Sequence, residues 1–170
     1  DAALEAEYEK SEALLHNILP LLVAERLKQN PDVIADSHSF VTILFSDIVG
    51  FTGLAGRLKP EELVTLLNKV FSRFDTLAED LGLEKIKTIG DAYLVVAGLP
   101  APREDHAAAV ARMALVMVTA TEEVARETGE ALQIRIGIHS GAVVAGVIGQ
   151  KKFAYDLWGD TVIIAARMDS

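Results

Sequence analysis

The apolar residues of this chain change their spacing in a fixed order, and that order restricts the fold more than any other feature. Phe40 to Ser46 (FVTILFS) is a short apolar run rich in β-branched residues, the pattern of a strand. Pro60-Glu61-Glu62 then opens a helix, with proline in the first turn and acids near the positive end of the dipole. Its apolar face is Leu63, Leu66, Leu67, Val70, Phe71, Phe74 and Leu77, and Gly82 stops it. Glu84 to Ile89 and Ala92 to Ala97 read as two strands joined tightly at Gly90-Asp91, a hairpin. Asp105 to about Thr128 is a second, alanine-rich helix. Leu132 to His139 and Ala142 to Ile148 are predicted to form another hairpin, turning at Ser140-Gly141. A strand over Phe153 to Leu157 and a helix from about Asp160 complete the series.

Strand, helix, hairpin, helix, strand is the βαββαβ order of a ferredoxin-like α+β core. In that arrangement the third strand lies between the first two and runs antiparallel to both. The C-terminal end of the first strand therefore sits beside the start of the third. Residues 1 to about 29 precede this core as a helix. Leu4, Tyr8, Ser11, Leu15, Ile18 and Leu22 are spaced alternately by four and three, a heptad seam. Pro20 should interrupt the helix, because it lacks an amide proton and clashes with the preceding turn, and Asn30-Pro31-Asp32 ends it. The seam suits pairing with a second copy of the helix; docking of a single amphipathic helix on its own domain is the alternative. The chain thus divides into a helical segment, residues 1–38, and a globular domain, residues 39–170.

Bulk properties exclude several functions. The chain has 170 residues, 51% of them hydrophobic, enough for one domain with a sizeable core. Its formal net charge of -9 opposes nucleic-acid binding, which needs a basic face toward the phosphates. A nucleotide that arrives neutralised by divalent metal is not excluded. There is no cysteine, so disulfides and thiolate metal sites are ruled out. His16, His38, His106 and His139 show no metal-ligand spacing, and no Walker-type phosphate loop is present. No apolar run reaches the roughly 20 residues that cross a bilayer. The abrupt start inside a helical pattern suggests a fragment of a longer protein.

The topology has a chemical consequence. Asp47 follows the first strand and Asp91 opens the third, so these two should meet at one edge of the sheet. Two close carboxylates repel unless a proton or cation lies between them. Oxygen ligands of this kind suit hard divalent ions such as Mg²⁺ or Mn²⁺ at sites shared with phosphate. Between strand and helix runs Ile48-Val49-Gly50-Phe51-Thr52-Gly53, whose glycines would let backbone amides approach phosphate oxygens. From spacing alone, a helix or turn cap for Asp47 and an ordinary hairpin residue for Asp91 remain equally good readings.

Four motifs carry a resemblance. FSDIVGFT (Phe45 to Thr52), KIKTIGDAYLVVAGLP (Lys85 to Pro100), RIGIHSGAVVAGVIG (Arg135 to Gly149) and YDLWGDTV (Tyr155 to Val162) resemble, in order and spacing, class III adenylyl and guanylyl cyclases. The likeness runs from about residue 39 to 170. Leu14 to Pro20 (LLHNILP) is similar to the helical transducer that leads into such domains. The resemblance implies a head-to-tail homodimer with sites at the interface, ATP as substrate and two divalent cations, Mg²⁺ or Mn²⁺, per site. It places the metals on Asp47, Asp91 and the Ile48 carbonyl, and the nucleotide near Gly50, Phe51 and Thr52. Lys87 and Asp156 match the pair that adenylyl cyclases aim at adenine, where guanylyl cyclases typically carry Glu and Cys. Lysine is a pure donor for adenine N1 and aspartate an acceptor for its amine. Arg167 matches the arginine that stabilises the pentavalent phosphate. The implied location is a cytoplasmic domain, compatible with an upstream membrane anchor or sensor.

Two departures stand out. Ile163 occupies the position where the family has a catalytic Asn, and it can donate no hydrogen bond. The family also continues past Ser170 with further strands and a phosphate-contacting lysine, so the domain is expected to be C-terminally incomplete; Lys151 and Lys152 are not assigned that role. Adenylyl cyclase is the leading expectation, with a guanylyl cyclase and a degenerate, nucleotide-binding or dimerising signalling module as alternatives.

Overall fold

The computed structural model describes residues 1–29, 34–149 and 153–168, and within its first helix all side chains except those of residues 12, 13 and 15–18. Asn30-Pro31-Asp32, Lys151, Lys152 and the Leu15, His16 and Ile18 side chains lie outside what is described. Helices α1 (Ala2–Ile18) and α2 (Leu21–Gln29) are separate, broken at Leu19-Pro20 as the proline requires. Strand β1 (Ile34–Ile48) follows, then a short α3 (Phe51–Arg57) and a long α4 (Pro60–Asp80). The expected plain linker between strand and helix therefore contains a helix of its own. Next come β2 (Glu84–Ile89), β3 (Ala92–Ala97), α5 (His106–Thr128), β4 (Ile134–Ile148), β5 (Ala154–Trp158) and α6 (Asp160–Met168). The strands form one antiparallel sheet in the order β2-β3-β1-β4-β5. The third strand does lie between the first two, and Gly90, at φ 57, makes the tight turn between β2 and β3.

The second expected hairpin does not exist. Ser140-Gly141 lies inside β4, a continuous strand of 15 residues that pairs along its length with β1, also 15 residues. Gly141 pairs with Val41 and is not among the glycines with positive φ. Here glycine serves a close approach rather than a turn: an added Cβ would fall 2.5 Å from the Thr161 hydroxyl of α6. The register of β1 against β4 shifts between His38 and Val41, a bulge that bends the long pair.

Alternation along the strands makes two cores. Leu44, Ile48, Tyr93 and Val95 face α4 and α5, where they meet Phe74, Val110, Met113 and Met117. Ile43, Phe45, Leu94 and Val96 face the other way, toward α2, β5 and α6, and meet Val23, Leu27, Tyr155, Leu157 and Ala165. The sheet curls over this second core, so that β2 and β5, outermost in hydrogen-bonding order, are joined side chain to side chain. In α2 the buried residues are Val23, Ala24 and Leu27, and an Arg26–Asp36 ion pair ties the helix to β1. Leu4, Tyr8 and Leu22 of the heptad seam are exposed. No helix among the described residues is long and apolar enough to cross a membrane.

Because α2 belongs to the second core, Val23→Asp should lower the thermal midpoint by roughly 10 °C or more, since an unpaired buried charge costs several kcal/mol. Leu22→Asp, at an exposed position of the same helix, should move it by no more than about 2 °C. Calorimetry or circular dichroism melts of the two variants check this.

Candidate active site

The C-terminal end of β1 brings the first functional groups together. Asp91 Oδ2 accepts the backbone N–H of Ile48 at 2.9 Å. This bond draws the tip of the β2–β3 hairpin onto the end of β1 and places Asp91 beside the residue that follows Asp47. Asp47 accepts two hydrogen bonds from Arg135 on β4, at 2.9 Å from Nε and 3.1 Å from Nη2. The pairing follows from the register, in which Asp47 and Arg135 are directly opposed. Both aspartates are partly buried. Among the described residues no group of three or more His, Cys, Asp or Glu is placed to hold a metal. Two carboxylates with a neighbouring carbonyl nevertheless fit Mg²⁺ or Mn²⁺, which keep several waters and bind through one or two carboxylates plus substrate phosphates. Arg135 received no role from the sequence; its signal was the register of β4, which the supposed turn at Ser140-Gly141 concealed.

Beyond Ile48 the chain turns through Gly50, at φ 68 in the left-handed region that favours glycine, and enters α3. Gly50 caps this helix, and Phe51 and Thr52 form its first turn, whose amides have no partner within the helix. Those donors open next to Asp47 and Ile48 in the chain.

A second pair of charges lies across the curled sheet. Lys87 Nζ donates to Asp156 Oδ2 at 2.7 Å, joining β2 to β5. A bulge makes this contact possible. Lys85 pairs with Val95 but Lys87 pairs with Leu94, so Ile86 is the extra residue. Without it, Lys87 would oppose Tyr93 and face α4; with it, Lys87 shares the face of Leu94, on the side of α2 and β5. The Asp156 side chain is held by its second oxygen, which accepts the Leu157 amide at 2.8 Å.

Helix α6 carries Ile163 and Arg167, four residues apart and so on one helical face. Both are exposed, Ile163 to 51%. The sequence-derived residues thus fall into three groups: the β1–α3 edge with Asp91, the Lys87–Asp156 pair, and the outer face of α6.

Residues 33–170 match the family model described as the adenylate and guanylate cyclase catalytic domain. The chain belongs to this cyclase family. It is 47% identical over 171 residues to an adenylate cyclase of Mycobacterium tuberculosis, covering all of this chain and 39% of that protein. It is equally close, at 47% over 168 residues, to the guanylate cyclase soluble subunit beta-2 of Rattus norvegicus, covering 98% of this chain and 25% of the relative. It therefore spans well under half the length of these relatives. Among solved structures, the catalytic core of a rhodopsin-guanylyl cyclase with converted specificity, in complex with ATPalphaS, superposes with a TM-score of 0.74 at 40% identity, covering 79% of this chain and 73% of that one. The fold and the nucleotide cyclase family expected from the motifs are both borne out.

One cyclase-domain residue was not foreseen. Glu84, at the start of β2, is largely buried, and desolvation pushes its carboxyl up to about 7. Its negative field in turn adds to the burial that raises the Tyr155 phenol. In the unfolded chain Glu84 ionises near its ordinary value of 4.5. The folded state therefore holds the proton more tightly, and stability from this group is present below that value and lost as pH rises toward and through 7. Glu84→Gln should consequently melt several degrees above the parent at pH 8 and converge with it near pH 5, at roughly 2–4 °C per kcal/mol for a domain of this size. Melting curves across that pH range check the sign.

Proposed function

We propose that this cyclase domain converts ATP to 3′,5′-cyclic AMP and pyrophosphate, at sites shared between two copies of the chain. The observation that carries the choice of base is the Lys87–Asp156 pair at 2.7 Å. Adenine offers an acceptor at N1 beside a donor amine, so a lysine and an aspartate held side by side match it edge to edge. Guanine presents the reverse polarity there and would leave both partners mismatched, each charge opposed to the wrong group.

Asp47, Asp91 and the Ile48 carbonyl would hold two divalent cations, Mg²⁺ or Mn²⁺. When bound, such ions acidify the ribose 3′-hydroxyl and neutralise charge at the α-phosphate. The remaining work belongs to the chain. The 3′-oxygen attacks the α-phosphorus in line, the new P–O bond forms, and the bond to pyrophosphate breaks, a reaction governed by positioning and electrostatics. Arg135 balances Asp47 in this structure, and were Asp47 to hold a cation, the Arg135 guanidinium at the same edge would be placed to meet phosphate. The amides of Phe51 and Thr52 beyond Gly50 would offer further donors to the same charge. Arg167 would stabilise the pentavalent phosphorus. An exposed Ile163 beside Arg167 supports a second feature of the reading: this domain is a weakened catalyst. The helical segment ahead of β1 would act as the transducer, with the α1 seam pairing two protomers, and ATP as substrate places the domain in the cytoplasm.

The test is cyclic nucleotide production from Mn²⁺-ATP and Mn²⁺-GTP by the purified chain over a range of protein concentrations. Turnover of ATP above GTP, rising faster than linearly with protein, is expected. Preference for GTP would overturn the base assignment. Asp47→Ala should lower kcat at least ~10³-fold with the fold intact, the order seen when a group stabilising transition-state charge is lost. Lys87→Glu with Asp156→Cys should move preference toward GTP. Ile163→Asn should raise kcat roughly 10- to 100-fold with little change in KM.

A further inference from the structure

We infer that Thr161 is a positioning residue, whose hydroxyl, lodged in the gap left by Gly141, sets where α6 lies on the sheet. The inference rests on the reading of α6 as the helix that presents Arg167 to the reacting phosphate. Three observations meet at one point. First, the Thr161 hydroxyl donates to the Ala142 carbonyl at 2.6 Å, and the residue is 7% exposed. Second, Ala142 lies at the β1 bulge, where Ser39 and Phe40 together oppose it between the pairs His38–Val143 and Val41–Gly141, so the ladder is locally interrupted there. At that interruption a side chain from α6 donates to the Ala142 carbonyl. Third, the space that the hydroxyl occupies exists only because position 141 is glycine, since a Cβ there would lie 2.5 Å from Thr161 Oγ1.

The seat is rigid on both sides of the strand. Ser140, adjacent to Gly141, turns to the opposite face and hydrogen-bonds Thr42 at 2.7 Å, and Thr42 in turn contacts Nδ1 of the buried His106 at 2.6 Å. β4 is thereby pinned toward α5 on one face, while α6 is pinned to it on the other. Arg167 lies less than two turns from Thr161 along α6, so a shift or tilt of the helix at its first turn is carried to Arg167. Misplacement of a catalytic group by about 1 Å can cost ~10²-fold in rate.

Steady-state kinetics with Mn²⁺-ATP and fluorescence of Trp158, the single tryptophan, test this in Thr161→Val, Thr161→Ser and Gly141→Ala. Valine preserves the shape and removes the donor. It should lower kcat roughly 10- to 100-fold, change KM less than about twofold and shift the Trp158 emission, because Trp158 directly precedes the Gly159 that leads into α6. Serine should restore kcat to within about threefold of the parent. Gly141→Ala should reproduce the valine phenotype, and Gly141→Ala combined with Thr161→Val should be no worse than either alone, since both release the same contact. Parental kcat and emission in Thr161→Val, failure of serine to rescue, or additive losses in the double variant would each overturn the inference. Should Gly141→Ala not fold, the valine–serine pair decides. If the parent itself turns over neither ATP nor GTP, the proposed function fails, while the emission of Trp158 still reports whether Thr161 seats α6.

Discussion

The antiparallel pairing of β1 with β4 is the constraint on which the rest of the molecule depends. Each strand has 15 residues and the two are matched over nearly their full length. At one end the pairing opposes Asp47 to Arg135; at the other it carries β5 and folds it over the second core. Apart from the bulge in β1, side chains along both long strands alternate between the core under α4 and α5 and the core under α2 and α6. A single bulge between His38 and Val41 keeps both faces in phase while bending the pair. Without that extra residue every side chain beyond it would change face.

Two bulges do specific work near the functional groups. The one in β2 turns Lys87 away from α4 and toward Asp156. The one in β1 lies opposite Ala142, whose carbonyl accepts the Thr161 hydroxyl. In β2 the additional residue redirects a polar group that an unbroken ladder would have turned to the other face. The resulting ion pairs are partly exposed, Asp47 and Asp156 each at 21% and their partners more so. Such pairs add little to stability; under the function proposed above, they hold the charges ready oriented for a nucleotide and its cations.

The N-terminal segment divides at Pro20 into parts with different roles. α2 is built into the second core through Val23, Ala24 and Leu27, beneath the strands that carry Lys87 and Asp156. α1 presents Leu4 and Tyr8 to solvent. A displacement of α2 would therefore reach the Lys87–Asp156 pair through packed side chains rather than through a flexible tether.

Local chemistry in the sequence was enough for the long helices α4 and α5 and for the β2–β3 hairpin, whose tip the Asp91 bond to Ile48 draws to the end of β1. Each rests on a short-range signal, whether apolar periodicity, proline and glycine punctuation, or the βαββαβ order, which leaves few topologies open. The family followed from four motifs in register. What the sequence could not reveal were features that depend on which strand lies opposite which. Ser140-Gly141 has the composition of a turn, yet it became mid-strand because β1 offered a partner of equal length and Thr161 needed the space. Arg135 became the counter-ion of Asp47, and Lys87 the partner of Asp156, through registers set by bulges at Ser39-Phe40 and Ile86. Register is a property of two strands at once, fixed by the packing of both faces. For that reason the sequence determined the elements that local signals mark, while the tertiary structure decided how far the strands run and which charges are paired.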